Sequence, residues 1–141
     1  MKLSLAAILI FISSLVNAQD LSVIANDKGA PGQLKLTELQ SIFQGKTTKW
    51  TNGSKVVLAM MKTNTDAGQA TCQKLFQMNA DEVKKYWLTQ SMKGIETPVF
   101  FNGIAELKEF VVKTPGAIGI VEGSEAPAGS RLVMVDGKKS F

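Results

Sequence analysis

Apolar residues recur along the chain at two spacings, and the alternation of these spacings predicts strands and helices in turn. Five short, nearly continuous apolar runs are typical of strands buried in a sheet: residues 21–26, 55–61, 97–101, 117–122 and 132–137. The segments between them place apolar residues three and four positions apart, as on one face of a helix. Strands that alternate with helices predict an α/β fold whose sheet is at least partly parallel.

Each predicted helix has a polar residue where it should begin. The expected N-caps are Thr37, Thr65 or Asp66, Asn79 with Glu82 three residues later, and Asn102. Gly45 is expected to end the first helix. At the end of the fourth helix, Pro115 disfavours helical geometry at Thr114. Gly116 can then adopt a left-handed conformation that turns the chain into the next strand.

Several apolar side chains are expected to form the core. The stripe predicted for the fourth helix consists of Ile104, Leu107, Phe110 and Val111. Tyr86 and Trp87 follow Val83 at helical spacing and are interpreted as core residues, although an aromatic pair could also form a binding platform. Cys72 lies in the second predicted helix and is interpreted as a small buried hydrophobe.

Residues 1–18 are typical of a secretory signal peptide. Lys2 precedes an apolar run at residues 5–12, and the segment ends in Val16-Asn17-Ala18. The run is shorter than the roughly 20 residues needed to cross a bilayer, so no membrane insertion is expected once the leader is removed. We therefore expect a periplasmic or secreted chain that begins at Gln19 and forms a single domain over residues 19–141.

Composition limits the chemistry available to the chain. It contains no His and one Cys, which excludes Ser-His-Asp and Cys-His nucleophiles, the commonest zinc sites and an intramolecular disulfide. It has no phosphate-binding P-loop motif, and its carboxylates are scattered rather than paired at a metal-like spacing. The formal charge of +4 is not concentrated in a block that would indicate nucleic-acid binding. The sequence thus predicts a non-enzyme without cofactor, metal site or nucleic-acid partner.

Four motifs in a fixed order carry a resemblance to a known family. They are IFQGKTTKW at 42–50, KTNTDAGQATCQKLF at 62–76, the pair Tyr86-Trp87, and PGAIGIV at 115–121. In this order, the sequence resembles the phosphate-binding periplasmic proteins of bacterial ABC transporters, in which such a stretch forms the second of two lobes. The resemblance implies a single-lobe relative, an α/β fold with a small, mixed, largely parallel sheet flanked by helices, like one lobe of a type 2 periplasmic binding protein.

The resemblance also implies a ligand site at two strand-to-helix turns. In the family, the first turn supplies an Arg and a Ser-Gly-Thr run, which correspond by position to Lys62 and to Asp66-Ala67-Gly68. Independently, a helix N-terminus at the carboxyl end of a strand presents free N–H groups and a positive dipole end to an anion. The expected ligand-binding residues are Lys62, Thr63, Asn64, Thr65, Asp66, Ala67, Gly68, Asn102 and Gly103.

Two functions are compatible with this sequence. The first is an exported, non-catalytic solute-binding module that binds phosphate or another small anion for an ABC transport system, with a protein partner or a homodimer completing the cleft. The second is an interaction or scaffold protein that uses the former cleft face to bind another exported or membrane protein. Asp66 favours the second function or a different ligand, because its carboxylate repels an anion, although Thr65 and Asp66 also fit a plain helix cap.

Overall fold

A computed structural model describes residues 20–123 and 125–141, and the predicted leader and Gln19 lie outside this part of the chain. Its strands are β1 (Leu21–Asn26), β2 (Gln33–Leu34), β3 (Val57–Met61), β4 (Val99–Phe101), β5 (Ala117–Glu122) and β6 (Ser130–Val135). Its helices are α1 (Leu36–Phe43), α2 (Asp66–Thr71) with a π-helical continuation at Cys72–Phe76, α3 (Ala80–Met92) and α4 (Ile104–Lys113). None of these helices is both long and apolar enough to cross a membrane.

The six strands form one mixed sheet in the order β2-β6-β1-β5-β3-β4. Strand β1 runs antiparallel to its neighbours β5 and β6, whereas the other three pairings are parallel. The prediction of a mixed, largely parallel sheet is therefore confirmed. In the β3–β4 ladder Met61 lies beside Phe101, so these two strands end at the same edge of the sheet.

Helices cover both faces of the sheet, because successive residues of a strand point to opposite sides. Val23 of β1 belongs to one apolar cluster, together with Phe43 of α1 and Trp87 of α3. Ile24 belongs to the cluster on the other face, where Leu107 and Val111 of α4 are fully buried. The apolar side chains of the strands and of the helices therefore pack together in two cores, one on each side of the sheet.

Cys72 and the aromatic pair are core residues, as predicted. Cys72 is fully buried, and this burial raises the pKa of its thiol. Trp87 is also buried. The ring of Tyr86 packs edge-on against Phe76, with 5.9 Å between ring centroids, and its hydroxyl donates a hydrogen bond to the carbonyl oxygen of Gln44. The pair therefore does not form an exposed binding platform.

The predicted turn at Pro115-Gly116 is confirmed, and it joins three distant segments of the chain. Gly116 has a φ of +83°, and its N–H donates to the carbonyl oxygen of Lys28 at 2.7 Å. Its own carbonyl oxygen accepts a 2.9 Å hydrogen bond from Nε1 of the buried Trp50. A Cβ at this position would lie 2.2 Å from the carbonyl oxygen of Lys55, so only glycine fits the turn.

The predicted start of α1 is wrong, because a remote residue determines it. The N-cap is Lys35 rather than Thr37, and no side chain of the cap residue bonds the helix. Instead, Oδ1 of Asp136, which follows β6, accepts a 3.1 Å hydrogen bond from the amide of Leu36. The two-residue strand Gln33–Leu34 beside β6 was likewise not predicted, since it lies in a Gly/Pro-containing turn.

The predicted start of α4 is also wrong by one residue. Gly103, and not Asn102, is its N-cap, without a side-chain hydrogen bond to the first turn. Ile104 was predicted to be buried and is 37% exposed. By contrast, Asn79 and Glu82 form the predicted capping box of α3. Strands β3, β4 and β6 differ from their predicted bounds by two residues at one or both ends.

Candidate functional site

The loops that follow β3 and β4 lie side by side at the carboxyl edge of the sheet. The amide of Lys62, the first residue after β3, donates a 2.9 Å hydrogen bond to the carbonyl oxygen of Phe101, the last residue of β4. Asn102 follows directly and is exposed. The two strand-to-helix turns of the candidate site therefore share one edge of the sheet.

Thr65 and Gly68 hold the first of these loops in its shape. Thr65 is the N-cap of α2: its hydroxyl oxygen accepts from the amide of Gly68 at 3.0 Å and donates to the carbonyl oxygen of Lys62 at 2.7 Å. A Cβ on Gly68 would lie 1.9 Å from that same carbonyl oxygen. The amide of Gly68 is thus occupied within the loop, and its lack of a side chain is a packing requirement.

The first turn of α2 offers little to an anion. Asp66 is exposed there, so its carboxylate lies at the positive end of the helix and repels another negative charge. Ala67 is 5% exposed and packs in the same apolar cluster as Leu107. The first turn of α4 differs, because Gly103 provides no side-chain cap and the N–H groups of that turn can bond an anion or water.

A groove of about 360 Å³ lies beside the first loop, and three of the predicted site residues line it. Lys62, Thr63 and Asn64 form one wall, while Lys84 of α3 and Phe100 of β4 complete the lining. Lys62, Asn64 and Lys84 are exposed, whereas Thr63 is almost fully buried. The structure thus brings two lysines, a hydroxyl group and a side-chain amide to one concave surface.

The other predicted residues do not line this groove: Thr65, Asp66, Ala67, Gly68, Asn102 and Gly103. Lys84 lines the groove, but the sequence did not predict it as a site residue. A lysine that follows the buried Val83 on an amphipathic helix is ordinarily a solvated surface residue. Its place beside Lys62 results from the tertiary position of α3, so no local pattern could have identified it.

Lys62 and Lys84 have no acidic partner in residues 20–123 and 125–141. The ion pairs of Lys55 with Glu96 and of Lys113 with Glu109 do not involve either residue. The groove therefore presents two cations that no carboxylate of the described residues neutralises.

Comparison with known proteins finds relatives in structure but not in sequence. No family model and no curated protein matches the sequence. An ABC-type phosphate transport receptor from Vibrio cholerae matches 87% of this chain at a TM-score of 0.64 and 12% identity. PstS from Borrelia burgdorferi matches 85% at 0.63 and 13% identity. A Clostridium perfringens protein assigned as a phosphate ABC transporter substrate-binding protein, solved with bound phosphate, matches 85% at 0.62 and 20% identity.

These similarities show the fold and its extent. The matched regions cover 49%, 48% and 46% of the three solved chains, so this chain spans about half their length. Identities of 12–20% are too low to carry ligand contacts from one protein to another. The expectation of a fold like one lobe of a phosphate-binding periplasmic protein is confirmed.

Proposed function

We propose that this chain is an exported, non-catalytic solute-binding module that binds phosphate or another small oxyanion where β3 and β4 end. The observation that carries the proposal is the groove in which Lys62, Thr63 and Asn64 present a cation, a hydroxyl group and an amide. These groups stand on a fold shared with phosphate transport receptors. Service to an ABC transport system, in the periplasm or outside the cell, is supported by that similarity and by the leader-like residues 1–18.

The predicted site residues have different roles in this proposal. Lys62 supplies a charge-assisted hydrogen bond to the anion, and Asn64 and Thr63 add neutral hydrogen-bond donors. Thr65 and Gly68 shape the loop rather than contact the ligand. Asn102 and Gly103 place the uncapped first turn of α4 at the same edge, where its free N–H groups form the positive end of the helix dipole.

The open form of this site predicts weak binding. A helix N-terminus contributes about 0.3–1 kcal/mol to an exposed anion, and an exposed ion pair about 0.2–1 kcal/mol. A millimolar complex already requires about 4 kcal/mol. We therefore include in the proposal a second surface, from a protein partner or from a second copy of the chain, that covers the anion and excludes water.

Calorimetric titration of the purified protein with phosphate and sulfate tests this function. We expect weak heat of binding, at millimolar or higher anion concentrations, with the wild-type protein and with Lys93→Ala, which removes an exposed lysine at the end of α3 outside the groove. Lys62→Ala should weaken binding by at least about threefold, because it removes the cation that faces the ligand. Equal binding by Lys62→Ala and wild type would contradict the proposed site.

A second function is favoured by one observation on α3. Leu88 and Met92 lie one turn apart and are 64% and 82% exposed, and exposed apolar pairs of this kind are found at protein interaction surfaces. They favour the interaction or scaffold protein that binds another exported or membrane protein. A folded wild-type protein that gives no heat with any oxyanion would favour this second function over the first.

A further inference from the structure

The groove lined by Lys62, Thr63, Asn64, Lys84 and Phe100 is larger than a simple oxyanion requires. Its volume of about 360 Å³ falls in the range of about 300–1,000 Å³ typical of sites for organic ligands. Its surface is mostly apolar, as expected for a ring and the hydrocarbon stems of two lysines. Phe100 packs against the core cluster beneath α3, so its ring is held in place.

Thr63 offers its hydroxyl group to an occupant of the groove. The residue is 5% exposed, no group in residues 20–123 and 125–141 forms a hydrogen bond with its hydroxyl, and its Oγ1 is not one of the fully buried polar atoms that lack a partner. Water therefore reaches the hydroxyl, and an anionic oxygen that displaces this water would accept its hydrogen bond.

The two lysines that line the groove also favour an anionic ligand. Lys62 and Lys84 come from different elements, line the same groove, and have no ion-pair partner in the described part of the chain. Two lysines that share a concave surface repel each other. An anion bound between them attracts both and offsets this repulsion. Cations, a hydroxyl donor and an apolar wall together select a ligand that is charged at one end and apolar at the other.

We propose that the groove binds an anion that carries a flat apolar group, of the aryl phosphate or aryl carboxylate class. The anionic end lies between Lys62 and Lys84 and accepts a hydrogen bond from Thr63, while the flat group packs on the ring of Phe100. This inference rests on the proposed function and narrows its ligand from small oxyanions to aryl-substituted anions. Lys84 and Phe100 become the residues that determine specificity.

Titration with three probes tests the ligand class, with binding followed by NMR chemical shifts because weak affinities are expected. Phenyl phosphate should bind about tenfold more tightly than inorganic phosphate, because it adds an aromatic contact to the same anionic contacts. Phenol, which has the ring without the charge, should show no saturable binding at the concentrations at which phenyl phosphate saturates.

Three variants then assign the contacts. Lys84→Gln should weaken phenyl phosphate binding by about threefold or more, whereas Lys85→Gln, an exposed neighbour on α3 that does not line the groove, should leave it unchanged. Phe100→Leu keeps an apolar side chain in β4 and should reduce the preference for phenyl phosphate over inorganic phosphate by about two- to tenfold. If Phe100→Leu fails to fold, the comparison of Lys84→Gln with Lys85→Gln, both exposed positions on α3, still tests whether phenyl phosphate binds in the groove.

The outcomes separate this inference from the proposed function. Phenyl phosphate that binds no more tightly than inorganic phosphate, or that binds equally to wild type and Lys84→Gln, overturns the inference. If inorganic phosphate still binds and depends on Lys62 in that case, the proposed function stands without it. Phenyl phosphate binding that depends on Lys84, without measurable binding of inorganic phosphate, supports the groove as a site for aryl-substituted anions. In that case inorganic phosphate is no longer a ligand in the proposed function.

Discussion

Gly68 stands where the first turn of α2 meets the carbonyl group of Lys62, and only a hydrogen atom fits there. A Cβ would lie 1.9 Å from the carbonyl oxygen and 2.6 Å from the carbonyl carbon. The hydroxyl of Thr65 bonds both the amide of Gly68 and that carbonyl oxygen. The conformation of the candidate loop therefore depends on two residues that do not line the groove.

Gly68→Ala is expected to lower the free energy of unfolding by about 1–3 kcal/mol, because the added methyl group must push the Lys62 carbonyl aside. Urea unfolding followed by circular dichroism measures the change. Gly32→Ala is the matched control, since a Cβ there would meet no atom within 4 Å and the backbone needs no left-handed conformation. An unfolding midpoint of Gly68→Ala equal to that of Gly32→Ala would show that the loop is not packed in this way.

The roles of single residues were predictable from sequence where their hydrogen-bonding partner is close in the chain. The capping roles of Thr65 and Asn79 follow from a bond to an amide three residues away. Lys84 carried no such signal, because its role depends on the loop at residues 62–64, in a different part of the chain. Site residues that act across elements are the ones that sequence reasoning missed.

At the scale of elements, α4 is held at its C-terminal end by a side chain from β1. Asn26 is 6% exposed, and its Nδ2 donates to the carbonyl oxygens of Val111 and Val112 at 2.9 Å each. Its Oδ1 accepts a hydrogen bond from the amide of Lys28 at 2.9 Å. These bonds satisfy carbonyls that the helix end leaves open, and they fix α4 against the sheet.

Asn26→Asp should destabilise the protein by more than about 2 kcal/mol at neutral pH. The substitution keeps the shape and the acceptor for Lys28, but it removes both donors and brings a carboxylate against two carbonyl oxygens. Urea unfolding provides the measurement. Asn52→Asp is the control, because exposed Asn52 acts only as an acceptor toward Ser54 and should change stability by less than about 0.5 kcal/mol. Equal stabilities of the two variants would contradict the proposed role of Asn26.

The π-helical segment after α2 illustrates what periodicity cannot predict about an element. The side chains of Gln40 and Gln44 in α1 donate hydrogen bonds to the carbonyl oxygens of Lys74 and Leu75 at 3.0 and 2.9 Å. The apolar spacing correctly predicted a helix there, but not its widened turn, whose carbonyl groups bond donors from α1. The start of α1 depends in the same way on Asp136, which lies a hundred residues further along the chain.

In the molecule as a whole, the motifs that carry the family resemblance contribute more to holding the fold together than to the candidate site. Trp50, from the first motif, is hydrogen-bonded to Gly116, from the last. A Cβ on Gly29 would lie within 2.9 Å of both residues, so these three segments pack as one unit. The resemblance therefore predicted the fold well, whereas the part of these motifs that we propose to contact a ligand is the loop Lys62-Thr63-Asn64.

A small anion that binds where β3 and β4 end, as we propose, should perturb the backbone amides there. Titration of the isotope-labelled protein with phosphate, followed by proton–nitrogen correlation NMR, reports on the backbone amides and detects weak binding. We expect the largest shift changes at residues 62–64 and around Gly103, with little change in the loop at 46–49, which lies near the start of β3. No saturable change at residues 62–64, or changes confined to residues 46–49, would contradict anion binding at this edge of the sheet.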